Sequence, residues 1–117
     1  LDELPAYLAA RGDDLNWRGC NVTMPLKQAV QPHLYSFEEP ARTIGAVNTI
    51  YPAADRLLIG RNTDAAGFLE PLKPQLAQRH WFRMARVLGT GGAARAIVHA
   101  LAGEGFTVVL AGRDPAK

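Results

Sequence analysis

One cysteine, Cys20, is all this 117-residue chain carries, so no disulfide can form within it. That fits a reducing compartment, and cytoplasmic residence is the expectation. No run of residues is apolar and long enough to span a bilayer. The N-terminus has no charged-then-apolar signal segment, so no membrane partner is expected. Charge of one sign is also scarce: 13 Lys and Arg stand against 11 Asp and Glu, a net charge of +2. So even a balance gives no broad field for a polyanion, and no nucleic-acid partner is expected. The 3 histidines, His33, His80 and His99, lack the spacing of metal ligands and have no cysteine pair to help them, so no metal is expected. There is no Ser-His-Asp set and no nucleophile elbow. What is there is ordinary globular material, 48% hydrophobic and 21% charged. One local cluster, Arg79, His80, Arg83 and Arg86 around Trp81 and Phe82, reads as a solvated connector with one buried aromatic.

Proline and glycine punctuate the chain. "LPAYLAA" reads as a short helix with Leu4 and Leu8 on one face, ended by Arg11-Gly12-Asp13-Asp14. "WRGCNVT" reads as a strand. "MPLKQAV" begins a helix that admits Pro25 in its first turn and that Pro32 ends. "AVNTIYP" and "RLLIGRN" flank "AADR" and predict a hairpin. "TDAAGFLEPL" opens a helix that Thr63 or Asp64 can cap, and Pro71 and Pro74 break up the stretch before Trp81. From Met84 the pattern changes to strand, glycine-rich turn, helix, turn, strand. The helix over 93–102 is stopped by Gly103 and Gly105. Thr107 to Ala111 is a continuous apolar run of the kind a central parallel strand needs. The class is therefore α/β: an N-terminal α/β substrate domain over 1–63, then a linker helix and the first βαβ unit of a Rossmann-type dinucleotide-binding domain over 64–117. The chain opens without an initiator Met and stops just after a strand, so both domains read as incomplete and both ends as cut.

Gly89-Thr90-Gly91-Gly92-Ala93-Ala94 fits G-x-G-x-x-A. Gly89 allows the tight turn, Gly91 lets backbone approach a pyrophosphate, and Ala94 keeps the helix close to the strand. The helix start then offers free N–H groups to phosphate. Alone the pattern is weak; between two strands it has the context a dinucleotide needs. Cofactor choice falls to Gly112-Arg113-Asp114. Arg113, with Lys117 beyond it, suits the 2′-phosphate of NADP, whereas Asp114 suits the ribose 2′-OH of NAD unless it caps the next helix ahead of Pro115. NADP is favoured over NAD.

Two polar residues fit structural roles poorly. Lys27 falls in the first turn of a helix, where the dipole disfavours a cation. Either it is a solvated surface lysine or it serves as a proton donor to a developing alkoxide. Asp64 is either a plain helix cap or a carboxylate that orients Lys27 and binds a substrate hydroxyl. Asn48 and Thr49 interrupt the apolar "IGAVNTI", so they join an internal network or face a ligand. Asn21 and Thr23 pose the same question.

Four stretches, "GCNVTMPLK", "IGAVNT", "GRNTDAAGF" and "GTGGAARA", in that order, resemble the shikimate dehydrogenase family over roughly Gly19 to Lys117. The resemblance implies reversible reduction of 3-dehydroshikimate to shikimate with NADPH, in aromatic amino acid biosynthesis. It implies Lys27 and Asp64 as the catalytic pair meeting a small-molecule substrate in a cleft, Thr23 and Asn48 as substrate contacts, with Asn62 beside them, and the glycine turn with Arg113 as the cofactor cradle. One departure stands out: where the family usually carries Asn-Arg-Thr after the second cofactor strand, this chain has Gly112-Arg113-Asp114. That leaves open an NAD-using quinate/shikimate relative. A non-catalytic regulator that binds shikimate or quinate is the remaining alternative, against which the intact lysine and aspartate argue.

Overall fold

The computed structural model describes residues 2–78 and 83–113. The chain is a mixed α/β protein that divides into two compact units, Leu1–Asn62 and Thr63–Lys117. Among the described residues no helix is long and apolar enough to cross a membrane.

The first unit runs α1 (Leu4–Asp13), β1 (Cys20–Asn21), α2 (Leu26–Ala29), β2 (Ser36–Phe37), α3 (Ala41–Ile44), β3 (Thr49–Pro52) and β4 (Leu58–Arg61). Its sheet has the order β1-β3-β4-β2, antiparallel except for the parallel β2–β4 pair. The expected hairpin is β3 and β4, with Ile50 opposite Gly60 and Thr49 opposite Arg61. Strand side chains alternate between faces. Cys20, Ile50, Gly60 and Phe37 therefore form one row across the sheet, and Asn21, Thr49 and Arg61 form the next row on the opposite face. The first row meets the core, where Ile50 is fully buried with Leu8, Val22, Val30, Ala41, Val47 and Leu58. Gly60 is glycine because the core leaves no room: a Cβ there would lie 2.8 Å from Leu34 Cδ1 and from Val47 Cγ2.

Several elements differ from the sequence expectation, each for a local reason. Only Cys20–Asn21 of "WRGCNVT" pairs as strand. The helix α1 carries its turn through Gly12 to Asp13 because Arg56 finishes it from outside. The Arg56 guanidinium donates to the carbonyls of Gly12 at 3.0 Å and Arg11 at 3.2 Å, and also to Asp14 and Trp17. The Gly12 and Arg11 carbonyls are ones that a helix end otherwise leaves to water. The helix α2 is four residues long and stops before Pro32, which lies in a separate 3₁₀ turn, Gln31–His33. Pro25 stands at the N-cap of α2, after a cis Met24–Pro25 peptide, with Leu26 N–H donating to Thr23 O at 2.8 Å across the turn.

The second unit opens with α4 (Asp64–Leu69), passes through a 3₁₀ turn at Glu70–Leu72, and continues as α5 (Lys73–Leu76). Pro71 and Pro74 are the second residues of these short turns, within the first turn where the N–H has no helical acceptor, so the backbone stays helical. Thr63 occupies the N-cap of α4 and makes no side-chain capping bond. Then come β5 (Met84–Leu88), α6 (Gly92–Gly103) and β6 (Thr107–Ala111), with β5 and β6 parallel from Met84↔Thr107 to Leu88↔Ala111. Val87, Ala96, Ala100, Leu101 and the Ala65 of α4 are buried, and α4 packs on α6. The strand β6 has a parallel partner in β5, the kind of pairing its apolar run predicts. Among the described residues it pairs only with β5, and Val109 and Leu110 stay 45% and 49% exposed. Residues 79–82, which hold most of the basic and aromatic cluster, lie outside the described residues.

Candidate active site

In the first unit one short segment, Ala46–Val47–Asn48, gathers most of the candidate site residues. Val47 N–H donates to the carbonyl of Lys27 at 2.8 Å. Asn48 N–H donates to Arg61 O at 2.9 Å, and Asn48 O accepts from Val22 N–H at 2.7 Å. Asn62 Nδ2 donates to Ala46 O at 3.0 Å, and Asn62 is only 4% exposed. The segment thus ties the Thr23–Lys27 turn to the end of the hairpin. Thr23 is exposed, whereas Lys27 and Asn48 are half-buried. Thr49 Oγ1 donates to Asn48 Oδ1 at 3.0 Å, which orients that amide.

The case for Lys27 changes with the structure. A helix of four residues has no separate first and last turn, so it sets up no dipole for the ammonium to oppose. What singles Lys27 out is its half-buried place on a turn whose backbone is held on both sides. Asn62, which the resemblance sets beside the substrate contacts, gives its side-chain amide to the Ala46 carbonyl, so this buried polar group is paired.

The sequence reading missed four polar residues. Gln31 Nε2 donates to Gly45 O at 2.9 Å and to Gln28 O at 3.1 Å, fastening the turn after α2 to the start of the Ala46–Asn48 segment. Glu38 accepts from the Tyr51 hydroxyl and pairs with Arg61 Nε at 3.0 Å, across the polar face of the sheet. That hydrogen bond to Glu38 is the main reason the Tyr51 phenol is pushed above its ordinary range. No periodicity signals such contacts, since each joins residues from different elements. Burial raises the Cys20 thiol, so it stays protonated and packs as a small apolar group.

The second unit holds Asp64, the first residue of α4 and half-buried, and the glycine turn. Gly89 has φ +118, a conformation that favours glycine, and its N–H donates to Ala111 O at 2.7 Å. Gly91 is the N-cap of α6 with φ −76 and ψ −179, extended backbone any residue adopts. A Cβ on Gly91 would meet no atom of the described residues within 4 Å. Neither backbone nor packing among the described residues requires glycine there. Gly92, Ala93 and Ala94 then begin α6, whose first N–H groups lack helical acceptors. Thr90 lies against Gly112, and Arg113 follows, exposed. This arrangement fits a dinucleotide pyrophosphate at the turn. Asp114 and Lys117 lie outside the described residues. Among the described residues no three His, Cys, Asp or Glu side chains gather as a metal site.

The family model described as "Shikimate dehydrogenase substrate binding domain" matches residues 1–50. A shikimate dehydrogenase (NADP(+)) of Sphingopyxis alaskensis is 46% identical over 99% of this chain and 42% of its own length. The chain therefore spans less than half the length of that relative. Among solved structures, shikimate 5-dehydrogenase of Thermus thermophilus, in complex with NADP(H) and shikimate, matches with TM-score 0.80 and 40% identity over 99% of this chain and 42% of its own. Quinate dehydrogenase of Corynebacterium glutamicum, in complex with NAD, matches with TM-score 0.80 and 33% identity over 97% of this chain and 40% of its own.

Proposed function

The chain belongs to the shikimate dehydrogenase family, and from that premise we propose that the full-length protein interconverts 3-dehydroshikimate and shikimate with NADP(H), as an oxidoreductase of aromatic amino acid biosynthesis. The first unit then serves as the substrate domain and the second as the start of the cofactor domain. The free thiol of Cys20 accords with work in a reducing cytoplasm.

The observation that supports this reading most is the knot at Ala46–Asn48. It binds Thr23, Lys27, Asn48 and Asn62 into one body through backbone and buried amide contacts, as residues that must meet one small polar ligand require. When bound, the nicotinamide supplies the hydride. The Lys27 ammonium stabilises the negative charge that grows on the C3 oxygen and delivers the proton to it. Asp64 accepts a hydrogen bond from a substrate hydroxyl in this reading. Thr23 and Asn48 hold the ring hydroxyls. In the second unit the bare backbone of Gly89–Gly92 and the first N–H groups of α6 take the pyrophosphate, and Arg113 pairs with the 2′-phosphate. Asp114 and Lys117 complete that end in this reading.

A second reading has its own support. The likeness to an NAD-bound quinate dehydrogenase, together with an acidic residue after Arg113, favours a quinate/shikimate enzyme that accepts NAD. One assay separates the two: the full-length protein with shikimate or quinate, and NADP or NAD, following nicotinamide reduction. The proposed function expects shikimate with NADP to be the best pair. Lys27→Ala should lower turnover by about 10²–10⁴-fold, the usual worth of a general acid, and leave the affinity for NADP in place. Near-normal turnover in that variant would remove Lys27 from the mechanism.

A further inference from the structure

The two glycines on either side of the cofactor turn are glycine for opposite reasons. At Gly91 a Cβ would find open space, whereas at Gly112 it would stand 2.7 Å from Thr90 Cγ2. The next atoms of Thr90 are at ordinary contact distance from that position, Oγ1 at 3.6 Å and Cβ at 3.7 Å. One methyl group therefore accounts for the whole conflict. A β-branched side chain cannot easily turn that methyl away.

The neighbourhood gives the contact a consequence. One residue earlier on each segment, Gly89 N–H is bonded to Ala111 O at 2.7 Å. The glycine turn and the end of β6 are thus held at two successive points, first by a hydrogen bond and then by the Thr90 methyl seated on bare Gly112. Arg113 comes next. Its distance from the turn is set by how closely those two points approach.

We infer that Thr90 and Gly112 form an interlocked positioning pair, in which the threonine methyl fills the place of a side chain at 112 and so fixes where Arg113 meets the adenosine 2′-phosphate. This rests on the proposed NADP site. A side chain at 112 pushes the strand end away from the turn and moves Arg113 with it. The effect falls on the dinucleotide that carries a 2′-phosphate and spares the one that does not.

The test is direct binding of NADP and of NAD to the full-length protein, read by titration calorimetry without turnover. Gly112→Ala should weaken NADP about tenfold and NAD by less than about twofold, a size typical of coupled neighbours. The double variant Thr90→Ser/Gly112→Ala, which lacks the offending methyl, should recover the ratio of NADP to NAD affinity seen with Thr90→Ser alone. If Gly112→Ala does not fold, the double variant should fold and show that same ratio. Equal weakening of both dinucleotides, no weakening of either, or a double variant that keeps the altered ratio would each overturn the inference. A full-length wild-type protein that binds neither dinucleotide would overturn the proposed function and this pair with it.

Discussion

The backbone N–H of Val47 donates to the carbonyl of Lys27 at 2.8 Å, and this one bond joins two stretches that sequence alone leaves 20 positions apart. Its effect is to tie α2 to the segment that leads into β3. Asn48, next along, bonds Val22 and Arg61 through its own backbone, so the segment is stitched to β1 on one side and β4 on the other. A lysine whose carbonyl is held this way has its backbone, and so the root of its side chain, fixed in place.

Asn62 should carry more weight in the fold than its solvent-free position advertises. Its Nδ2 serves the Ala46 carbonyl from a site that is 4% exposed. Asn62→Ala leaves that carbonyl unpaired and should cost about 1–3 kcal/mol in urea unfolding of the full-length protein. Asn62→Asp should cost more, because a carboxylate oxygen then faces the carbonyl oxygen. Since Ala46 leads into Val47 and Asn48, either change should also raise KM for shikimate more than it lowers kcat. An Asn62→Ala protein with wild-type stability and KM would show the contact to be incidental.

What the sequence made legible was whatever carries its own period or punctuation. The hairpin β3–β4 announces itself by two apolar runs around "AADR", and the β5–α6–β6 unit by glycines at each change of direction. The short elements β2 and α3 give no such signal. Two and four residues long, they exist because Ser36–Phe37 pairs with Ile59–Gly60 and because Ala41 and Ile44 are buried. Among the site residues, types were readable and partners were not. Asn62 enters only through the resemblance, beside the substrate contacts, and its use as an internal tie depends on Ala46, 16 positions away.

The Tyr51–Glu38–Arg61 set gives the protein an alkaline limit. The Tyr51 hydroxyl donates to Glu38, and this bond to the carboxylate, followed by burial and the Glu38 charge, raises the phenol, with Arg61 acting in the opposite sense. A group whose folded pKa is raised stabilises the fold fully below its unfolded pKa, about 10 for tyrosine, and loses that contribution as pH climbs through the folded value. Stability of the full-length protein should therefore fall as pH rises past about 10. Tyr51→Phe should be less stable at neutral pH and should show a shallower alkaline decline. Parallel declines in the two proteins, followed by denaturant melts from neutral pH upward, would mean the pair is not formed in solution.

Arg56 is the residue whose loss the fold should feel at the greatest distance along the chain. It sits in the β3–β4 turn with φ +68, a costly conformation for a residue with a side chain. In return its guanidinium reaches back 44 positions to Gly12 and also serves Arg11, Asp14 and Trp17. The carbonyls of Arg11, Gly12 and Asp14 lie at the C-terminal end of α1, whose Leu8 belongs to the core. Hydrogen bonds from a charged donor are worth more than neutral ones, so Arg56→Ala should cost about 2–4 kcal/mol, while Arg56→Gly should recover a fraction by relieving the backbone. Arg56→Lys should not rescue, since a single ammonium cannot span carbonyls that a planar fork reaches together. Hydrogen exchange adds a local readout: amides of the last turn of α1 should lose protection in Arg56→Ala before those of β3 and β4. Uniform loss across the unit would instead mean that α1 and the hairpin unfold as one body and that Arg56 acts on the whole rather than on the helix end.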